Sequence, residues 1–364
     1  MKKILFSLVM AVALMVSCQD DCWNIFGKNS TVDVVLKVTS PQMDSTRGEG
    51  AELDSALGAI DNFDNNDEFW QKYDLRYILH IYEVVTTSTS TTLSEQPIYT
   101  QVQRVDRYVD NSIRFNTRLV PQRKYKFVIW ADFVNSGTTA DLFYYTDNTK
   151  DLRNITRMAA YEHTAMEEGL DAYHISFTEE VEGAVTLNAT LTRPMAKLRV
   201  VAIDYKEVSS YAIPSRVDVK FDTEAKPVYK VFNAVSNSFP ENYAELTYNV
   251  SVNPAPYKEY TGTTEAGEAI SGVVLFSDYI FTERPLNENE KNEQPVNFSM
   301  DIYDHKELPI RSINFDTDIP LSRNYLTTIV GNFLTQTVNL DIKIDDTLLN
   351  HTETFEGGDD YDIE

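Results

Sequence analysis

Cysteine is nearly absent: Cys18 and Cys22 are the two in a chain of 364 residues. That excludes a disulfide framework and a cysteine-rich zinc module. Histidine is almost as scarce. His80, His163, His174, His305 and His351 are scattered, with no spacing suited to a His-based metal site. Cations are outnumbered, with 32 Lys and Arg against 56 Asp and Glu and a net charge of -24. A nucleic-acid binder needs clustered cations to displace counterions, so that class is disfavoured. No apolar run beyond the N-terminus approaches the ~18 residues of a membrane-crossing helix. Catalytic signatures are missing as well: no Gly-rich phosphate loop, no H-E-x-x-H, no G-x-S-x-G and no recognisable Cys–His pairing. Asp61, Asp64, Asn66 and Asp67 lack the glycine and the glutamate that a calcium-binding EF-hand loop requires. With so many acids, paired carboxylates say nothing about glycoside hydrolysis without distances. The chain therefore reads as non-enzymatic, with no cofactor, no metal and no nucleic-acid partner.

What is present begins with an address. Lys2 and Lys3 precede an apolar run from Ile4 to Val16, the size of a signal-peptide core and too short for a stop-transfer helix. Leu14-Met15-Val16-Ser17-Cys18 resembles a bacterial lipobox, with Met15 where leucine is usual. The resemblance implies cleavage after Ser17, lipidation of Cys18 and anchorage by acyl chains. Gln19-Asp20-Asp21 resembles the surface-export signal of Bacteroidota lipoproteins, and a receptor-read address must be exposed and charged. Losing residues 1–17 removes two lysines and no acid, so the mature chain is more acidic still. Anionic lipid repels such a chain, so it should stand off the membrane on a tether, residues 18–30.

Hydrophobic residues make up 42% and aromatics 12%, enough to fill sizeable cores, and the length allows two domains. The dominant hydrophobic period is two. Val32, Val34, Leu36 and Val38 alternate with polar neighbours, as do Ile113, Phe115 and Leu119. So do Val185 to Leu191, Val296 to Ile302 and Val338 to Ile344. Tyr125, Phe127, Ile129, Ala131 and Phe133 share one face, while Val128 and Trp130 load the other. Strands of this kind bury one face and wet the other, as antiparallel sandwiches require. Two short helices are predicted. One starts at Asp151 and carries Leu152, Ile155, Met158 and Ala159; the other runs from Ala51 to Ile60. His80 lies in an apolar strand pattern and reads as a structural histidine. Thr192-Arg193-Pro194 is the best internal boundary, because proline cannot continue a central ladder. Val85 to Gln96 and Glu283 to Gln294 read as exposed polar loops. The chain thus divides into a signal peptide (1–17), a tether (18–30), an N-terminal β-sandwich (31–192), a C-terminal β-sandwich (193–346) and an acidic tail (347–364).

Three segments resemble the fimbrillin-like family of Bacteroidota surface proteins. Tyr125-Lys126-Phe127-Val128-Ile129-Trp130-Ala131 is similar to a recurring strand of that family. Leu191-Thr192-Arg193-Pro194-Met195-Ala196-Lys197 is similar to the start of its second domain. Arg323-Asn324-Tyr325-Leu326-Thr327-Thr328-Ile329-Val330-Gly331 is similar to a stretch near the end of that domain. The resemblance implies an all-β chain of two tandem transthyretin-like antiparallel β-sandwich domains with few short helices. It implies a fimbrial (pilus) subunit or anchor at the outer membrane, exposed on the cell surface, and in the fimbrium if processed. Its partners would be other fimbrial subunits joined by strand exchange, the membrane through the lipid, and a host or bacterial surface ligand for adhesion. In polymerising members, a protease cuts after an arginine that follows the first strand; the strand leaves, and one from a neighbour fills the groove. Here Val32 to Val38 would be the removable strand and Arg47 the cleavage candidate; a plain linker containing one arginine is the other reading. Val338 to Ile344 is either a donor strand or the last strand of the second domain. Beyond it the tail offers few apolar anchors, which favours an anchor or accessory subunit over a stalk.

Asp44-Ser45-Thr46, Asp54-Ser55-Ala56 and Asp346-Thr347-Leu348 are similar to the O-glycosylation acceptor of exported Bacteroidota proteins, which marks Ser45, Ser55 and Thr347. A glycan on Ser45 would shield Arg47. A second functional reading is a surface glycan-binding lipoprotein. It requires exposed Trp or Tyr clustered on one face, and the tryptophans are only Trp23, Trp70 and Trp130.

Overall fold

The computed structural model describes residues 31–39, 67–106, 112–208, 213–222, 228–240, 244–245, 247–263, 269–283, 294–335 and 340–345. The chain is all-β, with one short helix and two single 3-10 turns among these residues. Its first half carries β1 (Val32–Thr39), α1 (Asp67–Lys72), β2 (Tyr73–Thr86), β3 (Thr91–Leu93), β4 (Tyr99–Val105) and β5 (Ser112–Leu119). Then come β6 (Arg123–Asn135), β7 (Tyr144–Tyr145), β8 (Ile155–Arg157), β9 (Ala172–Val181) and β10 (Val185–Thr190). The second half begins with β11 (Met195–Ala202), β12 (Arg216–Asp222), β13 (Val228–Tyr229), β14 (Val231–Phe232), β15 (Ala244–Glu245) and β16 (Thr247–Val252). It closes with β17 (Glu259–Thr263), β18 (Ala269–Phe281), β19 (Gln294–Tyr303), β20 (Pro309–Leu321), β21 (Leu326–Gly331) and β22 (Leu340–Asp345).

Two pairs of sheets bury their facing sides. The sheet β10-β1-β5 and the sheet β3-β2-β6-β9, with β4 also on β2, contribute to one apolar cluster. The sheet β17-β18-β11-β21-β22 and the sheet β16-β12-β19-β20 contribute to a second. The alternation read from the sequence explains the strands buried on one face: along β1, Val34, Leu36 and Val38 are buried and the residues between them are not. The central strands β2 and β6 are covered on both faces, so their apolar runs are continuous. Pairing is mostly antiparallel, with two exceptions. β1 runs parallel to β10, and β11, which opens the second half, runs parallel to β21.

Two local expectations are corrected. No helix starts at Asp151. Its carboxylate accepts the backbone N–H of Arg153 at 2.7 Å and the side-chain amide of Asn154 at 2.9 Å, which closes a turn. Ile155 to Arg157 then pairs as β8 with β7 and β14. The segment from Val85 is exposed, but it forms a hairpin rather than a loop: β2 folds back onto β3 with Val84 opposite Leu93 and Thr86 opposite Thr91. His80 is structural as expected. It is fully buried, and its Nε2 lies 2.8 Å from the Thr149 carbonyl oxygen. Burial lowers its pKa below the ordinary histidine value, which favours the neutral ring. The helix expected over Ala51–Ile60 lies outside the described residues.

Candidate strand-exchange site

β1 is the middle strand of its sheet. Against β5 it pairs antiparallel from Val32–Leu119 to Thr39–Ser112, and against β10 it pairs parallel from Val34–Val185 to Thr39–Thr190. Both of its hydrogen-bonding edges are therefore used. The ladder is extended at one end by Leu191 N–H, which donates to the Thr39 carbonyl at 2.8 Å. At the other end the Arg118 guanidinium donates to the Thr31 carbonyl at 3.2 Å.

The side chains divide by face. Val34, Leu36 and Val38 are 0%, 1% and 0% exposed and sit in the first apolar cluster with Phe115, Leu119 and Ala189. Burying three such side chains stabilises the seated strand by roughly 5–9 kcal/mol. On the outer face, Asp33 meets Arg118 at 3.4 Å in an exposed ion pair, and Lys37 sits opposite Arg114. Exposed pairs contribute little, and like charges set directly opposite are unfavourable. The grip on β1 is therefore apolar burial plus backbone pairing, and neither depends on a particular polar side chain. The far edge of β5 is served by side chains of β4: Gln103 donates to the Arg114 carbonyl at 2.7 Å and Tyr99 to that of Asn116 at 3.4 Å. Withdrawing β1 would uncover two unpaired strand edges and an apolar floor.

Apart from Thr31, every other described residue follows β1 in the chain, so among the described residues its covalent link to the fold runs through residues 40–66. One cut in that segment leaves the strand held by non-covalent contacts alone. Arg47 lies in it, and so do Ser45 and Ser55; these three, with Cys18 and Thr347, lie outside the described residues.

The residues of the second and third motif segments meet in a buried polar seam that sequence reading did not foresee. Arg193 is fully buried and makes a two-pronged ion pair with Asp171, at 2.7 Å from both Nε and Nη2. Lys197 reaches Glu168 at 2.6 Å, and Lys258 reaches the other oxygen of the same carboxylate at 2.9 Å. Burial pushes the Glu168 pKa up, but the two ammonium groups outweigh it and hold the carboxyl at about 2. Burial pulls Lys197 below the ordinary lysine value against the opposing pull of Glu168. Asn324 accepts the Arg193 backbone N–H at 3.2 Å, and its own N–H donates to the Met195 carbonyl at 2.8 Å. These motif residues fasten the start of β11 to the turn before β21. Their partners Asp171 and Glu168 carry no pattern of their own that a sequence reading could find.

Trp130 is fully buried, edge-on to Tyr144 at 5.3 Å, so it belongs to the core and to no sugar-binding platform. Among the described residues, no group of three His, Cys, Asp or Glu is placed to hold a metal ion, and no helix is long and apolar enough to cross a membrane.

A family model described as a family of unknown function (DUF6562) matches residues 27–363. No curated protein matches the chain. Among solved structures, it is similar to the tip fimbrial protein Mfa3 from Porphyromonas gingivalis with a C-terminal truncation. That match has 11% identity and a TM-score of 0.42, and covers 86% of this chain and 99% of that one. It is also similar to a fimbrial assembly protein from Parabacteroides distasonis, with 9% identity and a TM-score of 0.38, over 86% of this chain and 99% of that one.

Proposed function

The chain belongs to the family of unknown function DUF6562, and from that premise we propose that it is a non-enzymatic, lipid-anchored surface protein of fimbrial type, assembling by β-strand addition and contributing to adhesion. The observation that carries this reading is the placement of β1. It is a central strand with both edges paired and three buried apolar anchors, and its covalent link to the other described residues runs through the segment that contains Arg47. A strand held this way is replaceable by any segment that presents apolar residues at the same alternate positions, because backbone pairing supplies the affinity and pockets supply the selection.

The chain carries one such segment itself. Val338-Asn339-Leu340-Asp341-Ile342-Lys343-Ile344 matches Val32-Asp33-Val34-Val35-Leu36-Lys37-Val38, with apolar residues at the same four alternate positions and lysine at the same place. Its strand β22 is an edge strand, paired with β21 alone among the described residues. This supports a chain able to give a strand as well as to receive one, arranged as two tandem units, 31–192 and 193–346. An unmatched edge invites pairing with another chain, so the groove and β22 are each other's natural complements between copies.

Intact mass with N-terminal sequencing, on protein taken from the native cell surface, tests the reading. A chain starting at Gly48 without lipid identifies a polymerising subunit from which β1 has been removed. A chain starting at acylated Cys18 identifies a tethered anchor that keeps β1. A chain with neither lipid nor the cut after Arg47 would sink the proposal.

A further inference from the structure

A half-open cleft of about 500 Å3 lies where β8, β13, β14 and the end of β18 meet. None of its lining residues belongs to β1, β5 or β10, so it is separate from the strand groove. Its size falls in the range of small-ligand sites. The floor is apolar, with Val231, Ile280 and Phe281 all buried.

Three tyrosines line it: Tyr279 is buried, and Tyr145 and Tyr229 are not. Tyr145 is 46% exposed at the cleft edge. An aromatic ring left in water at a cleft edge forgoes the stabilisation that covering it would bring. Tyr229 is held in place, its ring parallel to Phe239 at a centroid distance of 4.5 Å and its hydroxyl bonded to Glu283. A ring held that firmly loses little freedom on meeting a ligand.

The charges in the lining are matched. Glu162 and Lys230 pair at 2.8 Å, both partly exposed. Arg157 is bonded to the Asp278 carboxylate at 2.9 Å and to the Thr164 carbonyl at 3.2 Å. The cleft therefore offers no uncompensated cation to an anion, and the chain's net charge of -24 repels one from a distance. A wholly apolar ligand would leave one side in water, since the cleft is half open. A ligand with an apolar face and a hydroxyl-bearing edge fits both parts of the wall. Tyrosine rings cover the face, while the Glu162 carboxylate accepts, the Lys230 ammonium donates and the Thr156 hydroxyl does either.

We propose that this cleft binds a neutral saccharide, with Tyr145 and Tyr229 against the pyranose face and the Glu162–Lys230 pair hydrogen-bonded to its hydroxyls. The adhesive reading gains a ligand class from this, but the two stand on different residues.

Saturation-transfer NMR on the full chain tests it, with maltotriose, cellotriose and mannotriose as neutral probes, trigalacturonate as the anionic probe and decanoate as the apolar one. At least one neutral trisaccharide is expected to receive saturation. Tyr145→Ala and Glu162→Gln, both at partly exposed positions, are each expected to bind it about tenfold more weakly, the scale of one aromatic or charged contact. Their thermal midpoints should stay unchanged. Transfer to none of the neutral probes, transfer only to trigalacturonate or decanoate, or undiminished binding by Tyr145→Ala would overturn the proposal. Because these variants leave β1 and its neighbours intact, a negative result speaks against the cleft alone.

Discussion

At the residue scale, the buried ion pairs are the most exacting feature. Arg193 and Asp171 are both fully buried and satisfy each other with two hydrogen bonds. Two charges removed from water tolerate joint replacement far better than the loss of one partner. Arg193→Met alone is therefore expected to cost about 3–5 kcal/mol, because Asp171 keeps its charge without its partner. The double variant Arg193→Met with Asp171→Leu should recover most of that loss, and urea denaturation of the three proteins measures it. Equal losses in the single and double variants would refute the account. Glu168 makes a second demand. Its folded pKa of about 2 lies below the ordinary 4.5, so its contribution is complete above the unfolded value and vanishes as pH falls through the folded one. Between pH 5 and pH 2 the protein should lose about 3 kcal/mol on this account. Glu168→Gln should be less stable at neutral pH and show a flatter acid limb; an unchanged limb would remove Glu168 from that role. The sequence marks Arg193 and Lys197 through their motif, but it says nothing of partners that chain folding alone brings beside them.

At the element scale, β1 shows how far a period of two reaches. Alternation at Val32, Val34, Leu36 and Val38 identifies a strand and its buried face, because successive side chains on a strand point to opposite sides. It does not say which strands flank it. The parallel neighbour β10 begins at Val185, well over a hundred residues along the chain, and only the closed sandwich brings the two together. Leu36→Asp places a carboxylate at a position that is 1% exposed, and the closed monomer should lose several kcal/mol, about 3 or more. Thermal melting checks this, and an unshifted midpoint would mean that Leu36 does not anchor the strand. The turn at Asp151 is the opposite case. Leu152, Ile155, Met158 and Ala159 are spaced like a helix face, yet the Asp151 carboxylate closes a turn and the neighbouring strands capture Ile155 and Thr156 in a ladder. Local spacing was outcompeted by tertiary pairing.

At the scale of the whole molecule, the acidic charge bears on the proposed lipid anchor. A chain of net charge -24 gains nothing from an anionic lipid surface, so acyl chains on Cys18 would be its hold on the membrane. Cys18→Ala is expected to move the protein from the membrane fraction to the soluble one after cell disruption. Continued pelleting with membranes would refute the lipoprotein reading.

Local sequence pattern was enough to read an all-β chain, to mark β1, β5, β6, β10 and β19 as strands, and to assign the buried face of β1, β5 and β19; it did not single out the long strands β18 and β20. Those properties rest on neighbours within a few residues, where side-chain direction follows from backbone period alone. Long-range packing is what makes β1 a central strand with a parallel partner, brings Asp171 and Glu168 to Arg193 and Lys197, and sets Tyr145 and Tyr229 along one cleft. Each of these joins residues far apart in the chain, and no local propensity encodes which distant segment will close against which. That choice belongs to the packing of whole sheets, where burying two apolar faces together outweighs the preference of any single turn.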